Sequence, residues 1–332
     1  MTGENTGWGG GLWAAADLVT PMAIRVAATL RLADHIAAGT TSPDALAAAV
    51  HADPDALGRV LAHLVTAGVL SPAESGYALT PQGEQLREDH PDGMRAWLDL
   101  DGAVGRADLC FVELLHTVCT GAPAFPHRFG RSYWADLSAD PDRSASFDAL
   151  MSTRLAADAP SIATGYPWGQ LDHIVDVGGG DGTLLLAILR AHPHLHGTVL
   201  DLAGPAARAA EAISAAGLDG RASSRAGSFF DPLPTGARGY LLSGVLPDWD
   251  DDHAVRILRR CAEAATETGT VFVIDHSADG GSTEGDLRML CYVGGRERSL
   301  AQLHDLAARA GLQPGPRHPA GTRTVVELMP SG

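Results

Sequence analysis

The sequence predicts an α/β fold in two parts: a mainly helical domain over residues 1–166 and a parallel β-sheet with helices on both faces over residues 167–332. Two observations predict it. Before residue 167 most segments have a helical pattern. After it, short apolar runs alternate with helix-patterned segments, which is typical of a parallel sheet whose strands are joined by crossover helices.

The composition favours a protein that handles a small molecule. The 332 residues include 40 acidic and 24 basic side chains, giving a formal net charge of −16, which disfavours a nucleic-acid partner. The four cysteines form no C-x-x-C pair, so neither a disulfide framework nor a metal site is expected. Since there is no basic N-terminal run and no long uncharged apolar segment, we expect a cytoplasmic protein without a membrane partner.

The first predicted element is a helix from Ala14 to Ala38. Its apolar residues cover more than one face, which is the pattern of a buried helix. At a chain end the expected cover is a second subunit. The segment therefore predicts a homodimer.

Residues 41–83 have the order helix, helix, hairpin, which is the winged-helix pattern. Ser42 and Asp53 are predicted N-caps, each with proline at the first helical position. The second helix is expected to end at Gly68. Such a module serves either dimerisation and substrate covering or DNA binding.

The second of these helices does not have the charge of a DNA reader. It carries Arg59 and His63 against Asp55, too little positive charge for a helix in the major groove. We therefore expect dimerisation or substrate covering.

A long helix is predicted from Asp140 to Tyr166, crossing between the two domains. The sheet is then predicted from five apolar runs, which are His173–Val177, Thr198–Leu202, Gly239–Ser243, Thr270–Asp275 and Thr324–Leu328.

The strongest motif is a glycine loop after the first of these runs. The strand His173–Val177 leads into G-G-G-D-G at 178–182, where glycine lets the backbone turn sharply and approach a ligand. Asp201 ends the next strand, 23 residues after Gly178, and a carboxylate there can accept both hydroxyls of a ribose. The pair predicts an adenosine-bearing cofactor at the carboxyl ends of the strands.

The loop favours S-adenosylmethionine over a dinucleotide. Read from Gly178, the fingerprint G-x-G-x-x-G requires glycine at 183, where Thr183 stands. Asp176 precedes the loop, and S-adenosylmethionine carries cationic groups that favour nearby carboxylates but no pyrophosphate. The predicted cofactor is therefore S-adenosylmethionine, with S-adenosylhomocysteine as its product.

Further motifs follow the later strands. The G-S-F-F run at 227–230 places a polar side chain and aromatic rings where an adenine could lie. Ser243 ends the fourth strand and leads to D-W-D-D at 248–251, the start of a helix. A charged turn, G-G-R-E-R, follows at 294–298.

With these motifs in order, the sequence resembles the small-molecule O-methyltransferases of plant phenylpropanoid and bacterial polyketide pathways. The resemblance covers nearly the whole chain and rests on the winged-helix pattern, D-x-G-G-G-x-G, G-x-F-F, D-W-D-D and G-G-x-E-R. Within the family the chain is most similar to bacterial enzymes of aromatic polyketides, among them naphthoate O-methyltransferases of enediyne-type pathways. The resemblance implies a Rossmann-like class I methyltransferase domain joined to a mainly helical, winged-helix-like dimerisation domain.

It also implies an activity and a site. The activity is methylation of a phenolic hydroxyl of an aromatic polyketide-type product, for example a hydroxynaphthoate. The positions that match the family's cofactor contacts are Arg154, Asp176, Gly178, Gly180, Asp201, Leu202, Ser228, Phe229 and Ser243. Many members have aspartate where Ser228 stands. The positions that match its substrate pocket are Phe147, Met151, Leu246, Pro247, Met289 and Tyr292, for which ordinary core packing is an open alternative.

One departure from the family concerns the catalytic base. Members that deprotonate a phenol usually have histidine before the D-W pair, and this chain has Pro247, which offers no proton acceptor. Orientation of an acidic phenol can supply most of the acceleration instead, since well-placed reactants gain up to about 7–11 kcal/mol. A second response is another base, and the candidates are Asp248, Glu297, His253 and His276. A third is non-methylating chemistry such as hydroxylation at the same cofactor site, and a winged-helix regulator that senses a ligand is a further alternative.

Three smaller features have less specific interpretations. Arg25 and Arg296 are candidate partners of a substrate carboxylate, although a surface or intersubunit ion pair is the more ordinary reading of each. The H-P-H-L-H run at 192–196 resembles a metal-binding tract in composition only. It falls in a helix-to-strand connection, so we expect a solvated loop and no metal.

Overall fold

The structure is a computed structural model that describes residues 11–275 and 282–331. The chain forms two compact units, residues 1–109 and 110–332. This division precedes the predicted boundary at residue 166, because the long helix Pro141–Gly165 packs against the sheet unit through Thr183–Ala191 and Leu312–Ala320. The two units are described in turn.

The first unit contains short helices and one hairpin. Its elements are α1 Gly11–Ala16, α2 Val19–Thr29, α3 Leu32–Ala37, α4 Pro43–Ala49, α5 Pro54–Thr66, β1 Leu70–Ala73, β2 Gly76–Leu79, α6 Pro81–Glu84, α7 Met94–Leu98 and α8 Ala103–Asp108. The single helix predicted from Ala14 to Ala38 is wrong, since the chain bends at Asp17 and again at Arg31. Arg31 has a φ of 54°, a left-handed conformation that ends α2 and lets α3 start in a new direction.

The predicted helix, helix, hairpin order is present as α4, α5, β1 and β2. Ser42 and Asp53 cap the two helices and accept the backbone N–H groups of the third helical residues at 3.3 and 2.8 Å. The basic side chains of α5 are engaged locally. Arg59 pairs with Asp55 at 2.8 Å, and His63 Nε2 lies 2.9 Å from Thr20 Oγ1.

One segment of this unit, Gly11–Thr29, is long and apolar enough to cross a membrane by length and composition alone. The structure divides it into α1 and α2. Arg25, in the middle of α2, is paired with Asp108 of α8. The share of this segment that is buried is 11%, and both core helices of soluble proteins and signal sequences near an N-terminus pass the same test.

The second unit is built around a seven-stranded sheet. Its elements are α9 Leu114–Thr120, α10 Ala124–Phe129, α11 Tyr133–Ser138, α12 Pro141–Gly165, β3 His173–Val177, α13 Thr183–Ala191, β4 His196–Asp201, α14 Ala203–Ala215, β5 Ala222–Ala226, β6 Gly239–Ser243, α15 Asp251–Ala265, β7 Thr270–Asp275, α16 Thr283–Val293, α17 Leu300–Arg309, β8 Leu312–Ala320 and β9 Arg323–Pro330. A short 3₁₀ helix, Leu246–Asp248, follows β6.

The strand order is β5-β4-β3-β6-β7-β9-β8. The five strands β5, β4, β3, β6 and β7 are parallel, and four of them match predicted runs. The fifth predicted run, Thr324–Leu328, lies in β9, which runs antiparallel to β7 and pairs with an unpredicted strand, β8. The prediction of a wholly parallel sheet is therefore wrong at this edge. The prolines at 314, 316 and 319 made β8 unrecognisable as a strand in the sequence. An edge strand tolerates proline because one of its sides forms no hydrogen bonds to a neighbouring strand.

Two apolar layers cover the sheet. Side chains alternate along the strands, so that Val175 and Leu242 face α15 and α17 while Ile174 and Leu241 face α12 and α13. The helices connected to β3 and β6 thus lie on opposite faces. A crevice forms where strand order reverses, at the carboxyl ends of β3 and β6, and this is where ligands bind in open α/β sheets.

Candidate cofactor and acceptor site

The chain turns sharply at Gly178, directly after β3. Its φ of +75° is a conformation that glycine adopts without strain. A Cβ at this position would lie 2.9 Å from Val245 Cγ2 and 3.4 Å from Phe229 Cε1, so no larger residue fits. The turn brings the loop backbone into the crevice with no side chain in the way.

Asp201, at the end of β4, holds this loop from the neighbouring strand. Gly180 N–H donates to Asp201 Oδ2 at 2.8 Å, and Leu202 N–H donates to Oδ1 at 2.6 Å. Burial raises the pKa of Asp201 above its ordinary value, and the two backbone bonds oppose this rise. Each oxygen keeps a lone pair for a further donor such as a ribose hydroxyl. Beside it Leu202 is 46% exposed, an apolar surface at the rim of the crevice.

Asp176 is the most deeply buried carboxylate of the crevice. It is 1% exposed, and its Oδ2 has no hydrogen-bond partner within residues 11–275 and 282–331. Burial, together with the charges of Asp201 and Asp181, raises the pKa of Asp176 to about 7. Ser243 Oγ, at the end of β6, is likewise buried and unpartnered in the described chain. Because buried polar atoms are rarely left unpaired, both atoms fit a bound group that brings donors or positive charge.

Aromatic rings surround the far side of Gly178. Phe229 stands edge-on to Trp249, with ring centroids 5.8 Å apart, and Phe230 contacts the same indole at 4.8 Å. Ser228 Oγ accepts the N–H of Phe230 at 3.2 Å and so shapes the turn after β5. This arrangement suits a flat apolar ring such as adenine.

Helix α12 lies against the glycine loop. Ser152 Oγ donates to Asp181 Oδ2 at 2.6 Å, and Asp148 is paired with Arg208 of α14. Arg154, on the same helix, is exposed. Its predicted contact with the cofactor's carboxylate stays a prediction.

Beside Pro247 lies a cleft that is open to solvent. Of the predicted residues it brings together Leu246, Pro247, Arg296 and Glu297. It adds Asp275, at the end of β7, whose Oδ1 accepts the N–H of Gly244 at 2.9 Å. The sequence analysis missed Asp275, although its signal was available: an acidic residue at the carboxyl end of a predicted strand.

Three carboxyl groups face one another around Pro247. Burial, together with the charges of Asp275 and Glu297, raises the pKa of Asp248 to about 8. Burial likewise raises the pKa of Asp275 to about 7. The backbone N–H of Glu297 donates to Asp286 Oδ1 at 2.9 Å, which fixes the charged turn to α16. The region therefore contains proton acceptors, but none at position 247.

The other predicted substrate residues fall in two places. Tyr133 joins Phe147 and Tyr292 in one aromatic cluster, with centroid distances of 6.0 and 5.8 Å. Met151 and Met289 are half-buried on α12 and α16. Leu246 and Tyr292 are 2% and 4% exposed, so both also serve the core.

Trp134 was not predicted and has the position of a lining residue. It stacks on Trp249 at 6.2 Å and stands edge-on to Phe147 at 5.7 Å. It lies on α11, outside every motif, so no sequence signal distinguished it.

Of the arginine and histidine candidates in the described chain, Arg296 lines the cleft beside Pro247 and Glu297. Arg296 lies 3.7 Å from Asp251 in an exposed pair, which agrees with the predicted surface ion pair. Arg25 is paired with Asp108 in a largely buried contact within the chain, which is neither the surface nor the intersubunit pair expected for it. His253 Nδ1 lies 2.8 Å from Asp250 Oδ1. His276 lies outside the described residues.

The histidine run at 192–196 connects α13 to β4, as predicted. This connection is at the amino ends of the strands, away from the crevice. Among the residues that the structure describes, no group of three or more histidine, cysteine or acidic side chains could hold a metal ion.

Two family models match the chain. The model of an O-methyltransferase domain matches residues 111–313, and the model of an O-methyltransferase dimerisation domain matches residues 13–89. The second match supports the predicted homodimer and the dimerisation role of the winged-helix-like region.

Curated relatives agree with this family over the whole chain. A 2,7-dihydroxy-5-methyl-1-naphthoate 7-O-methyltransferase from Streptomyces carzinostaticus is 56% identical, over 96% of this chain and 97% of its own length. The aclacinomycin 10-hydroxylase RdmB from Streptomyces purpurascens is 47% identical, over 93% of this chain and 85% of its own.

A solved structure agrees in fold and cofactor. The O-methyltransferase NcsB1 from neocarzinostatin biosynthesis, in complex with S-adenosyl-L-homocysteine and 1,4-dihydroxy-2-naphthoic acid, matches with a TM-score of 0.94, at 56% identity, over 96% of this chain and 98% of its own. The same enzyme has also been solved with S-adenosylmethionine and 2-hydroxy-5-methyl naphthoic acid, and matches with a TM-score of 0.93. The chain belongs to the S-adenosylmethionine-dependent O-methyltransferases.

Proposed function

We propose that this enzyme methylates a phenolic hydroxyl of a hydroxynaphthoic acid. The observation that carries the proposal is the 56% identity, over 96% of the chain, to an enzyme named for a dihydroxy-methyl-naphthoate. An apolar and aromatic surface at the mouth of the cofactor crevice supports it, because Phe147 and Trp134 can pack on the faces of a fused ring system. The 47% identical hydroxylase keeps non-methylating chemistry as the second candidate.

The residues of the crevice fit the cofactor, which supplies an electrophilic methyl group on a sulfonium. We propose that Asp201 accepts the ribose hydroxyls and that Asp176 faces the cationic end, since its buried Oδ2 lacks a partner among the described residues. Gly178 and Gly180 admit the ligand to the loop backbone. The remaining proposed contacts are Arg154, Leu202, Ser228, Phe229 and Ser243.

The acceptor hydroxyl loses its proton with little help from the side chain at 247. We propose that orientation supplies most of the rate, because holding a phenolate in line with the methyl donor gains up to about 7–11 kcal/mol. General-base help adds typically about 10²–10⁴-fold. Asp248 and Glu297 are the groups that can receive the proton. With a pKa of about 8, Asp248 can do so only in the molecules in which its carboxyl group is ionised.

A cytoplasmic location is also proposed. Cys119, Cys261 and Cys291 are free thiols in the described structure. Free thiols are usual in reducing compartments.

The substrate proposal predicts transfer of label from methyl-labelled S-adenosylmethionine to a hydroxynaphthoic acid. A panel of hydroxynaphthoates, anthracyclines and simple catechols, followed by product mass, tests it. We expect a kcat/KM for at least one hydroxynaphthoate that is tenfold or more above that for any catechol. A product heavier by one oxygen with no label would favour the hydroxylase candidate, and label on anthracyclines alone would contradict the naphthoate proposal.

Replacing the ribose-binding carboxylate should remove cofactor affinity. In Asp201→Ala two hydrogen bonds to a charged group are lost, each worth about 1.5–3 kcal/mol. We expect the Kd for S-adenosylhomocysteine, measured by calorimetry, to rise at least about 100-fold. The matched control is Asp219→Ala, an exposed aspartate bonded to Ser214 after α14, which should leave the Kd unchanged. An Asp201→Ala protein that binds within threefold of the parent would rule out the assigned role.

The buried Asp176 predicts a pH dependence of stability. Its pKa rises from 3.8 to about 7 on folding, so the native state binds this proton more tightly than the unfolded chain. The resulting stabilisation is complete below about pH 4 and is lost as the pH rises through about 7. Relative to Asp176→Asn, the ligand-free parent should therefore lose about 2–3 kcal/mol of unfolding free energy between pH 5 and pH 8.

Urea titrations of both proteins at the two pH values, at one protein concentration, measure this difference. Groups common to both proteins cancel in the comparison. Asp219→Asn provides the control: its free energy of unfolding should differ from that of the parent by the same amount at both pH values. A constant offset for Asp176→Asn as well would mean that Asp176 is not buried as a neutral acid.

If orientation of the acceptor supplies most of the rate, Glu297→Gln should have only a small effect on kcat. The substitution keeps the size of the side chain and removes its capacity as a base. We expect kcat with a hydroxynaphthoate to fall less than about tenfold, with the Kd for S-adenosylhomocysteine unchanged. A fall of 10²-fold or more, the range of general-base catalysis, would show that Glu297 replaces the missing histidine.

A further inference from the structure

The backbone carbonyl groups of the turn that contains Pro247 need hydrogen-bond donors. We call residues 246–251 the Pro247 turn. Within the 3₁₀ helix Leu246–Asp248, Trp249 N–H donates to Leu246 O at 3.2 Å. The last carbonyl groups of a helix have no partner inside it and need partners from elsewhere. The partner of Pro247 O is the backbone N–H of Arg296, at 2.9 Å.

A single side chain, Arg298, takes most of the rest. Its Nη1 donates to Leu246 O at 2.7 Å, and its Nη2 donates to Trp249 O at 2.7 Å. Nε and Nη2 donate to Asp251 Oδ1 at 3.1 and 2.9 Å. The side chain is 6% exposed, so one buried guanidinium ties both ends of the Pro247 turn to the charged turn at 294–298.

The neighbouring backbone leaves no room for a different arrangement. A Cβ on Gly295 would lie 2.1 Å from Pro247 O and 2.7 Å from the carbonyl carbon of Asp248. The two turns are therefore in backbone contact. The five N–H groups of a guanidinium lie in a rigid plane and can span several acceptors, whereas a lysine ammonium is a point donor on a flexible stem.

We infer that Arg298 is a positioning residue for methyl transfer: it fixes the Pro247 turn so that Leu246, Pro247 and Asp248 present one surface to the acceptor. The inference rests on the proposed use of this cleft by the acceptor. It follows from the absence of a histidine at 247 that orientation matters more here, and misplacement by about 1 Å can cost about 10²-fold in rate.

The chain offers a matched control in Arg221. Its guanidinium also binds three backbone carbonyls, those of Leu189, His192 and Leu195, at 3.1, 3.2 and 2.9 Å. These lie at the amino ends of the strands, on the side of the sheet away from the crevice. Arg221→Gln thus removes the same kind of contact without touching the site.

The test compares Arg298→Gln, Arg298→Lys and Arg221→Gln. We expect Arg298→Gln to lower kcat 10- to 100-fold, with the Kd for S-adenosylhomocysteine within twofold of the parent. Arg298→Lys should recover less than a tenth of the lost rate, because it cannot span Leu246 O and Trp249 O together. Arg221→Gln should lower Tm by about as much as Arg298→Gln does, and it should leave kcat within twofold of the parent.

Hydrogen exchange of the ligand-free proteins keeps the inference testable whichever acceptor is used. Arg298→Gln should speed exchange in residues 246–251 at least tenfold, and Arg221→Gln should do so in 192–195 instead. The inference is overturned if Arg298→Gln keeps the parental kcat, if it leaves exchange in the Pro247 turn unchanged, or if Arg221→Gln reduces kcat equally. Absence of methyl transfer by the parent from any acceptor would defeat the proposed function and the inference together, whereas parental activity combined with an unchanged Arg298→Gln would defeat the inference alone.

Discussion

The hydrogen bond from Gly180 N–H to Asp201 joins the carboxyl ends of the two strands on which the cofactor site depends. It forms because β3 and β4 are parallel and in register, Val177 opposite Leu200, so that both end at the same edge of the sheet. It also requires the left-handed turn at Gly178, which swings the loop back toward β4. The bond thus holds the glycine loop next to the carboxylate of Asp201, the two features from which the cofactor site was predicted.

Several carboxyl groups are buried around this bond, and burying a carboxyl group lowers the stability of the fold. Asp176, Asp248 and Asp275 all have pKa values raised to about 7 or 8 by burial. Such groups cost stability in the free protein, and their persistence in one crevice indicates a functional reason. A cationic cofactor would give Asp176 a partner, and the proposed transfer of a phenolic proton would use Asp248.

Local chemistry could be read from the sequence, and long-range packing could not. The caps Ser42 and Asp53, the strand His173–Val177 and the glycine loop depend on neighbours within a few residues, and the structure confirms them. The strand β8 is held by pairing with β9 despite its prolines, and Trp134 acquires its position only when α11 packs near the turn after β6. Arg298 shows the same limit, since its partners in the Pro247 turn are 47 or more residues away.

Proline at 247 and arginine at 298 are consistent with one strategy. An enzyme with a histidine base at this position gains general-base help of typically about 10²–10⁴-fold. An enzyme without that base relies on where the acceptor is held, and this requires a rigid surface. Proline fixes its own φ, while the guanidinium fixes the carbonyls on either side of it. Proline in place of histidine at 247 therefore removes the proton acceptor and also makes the turn more rigid. The hydrogen bonds from Arg298 hold both ends of the same turn.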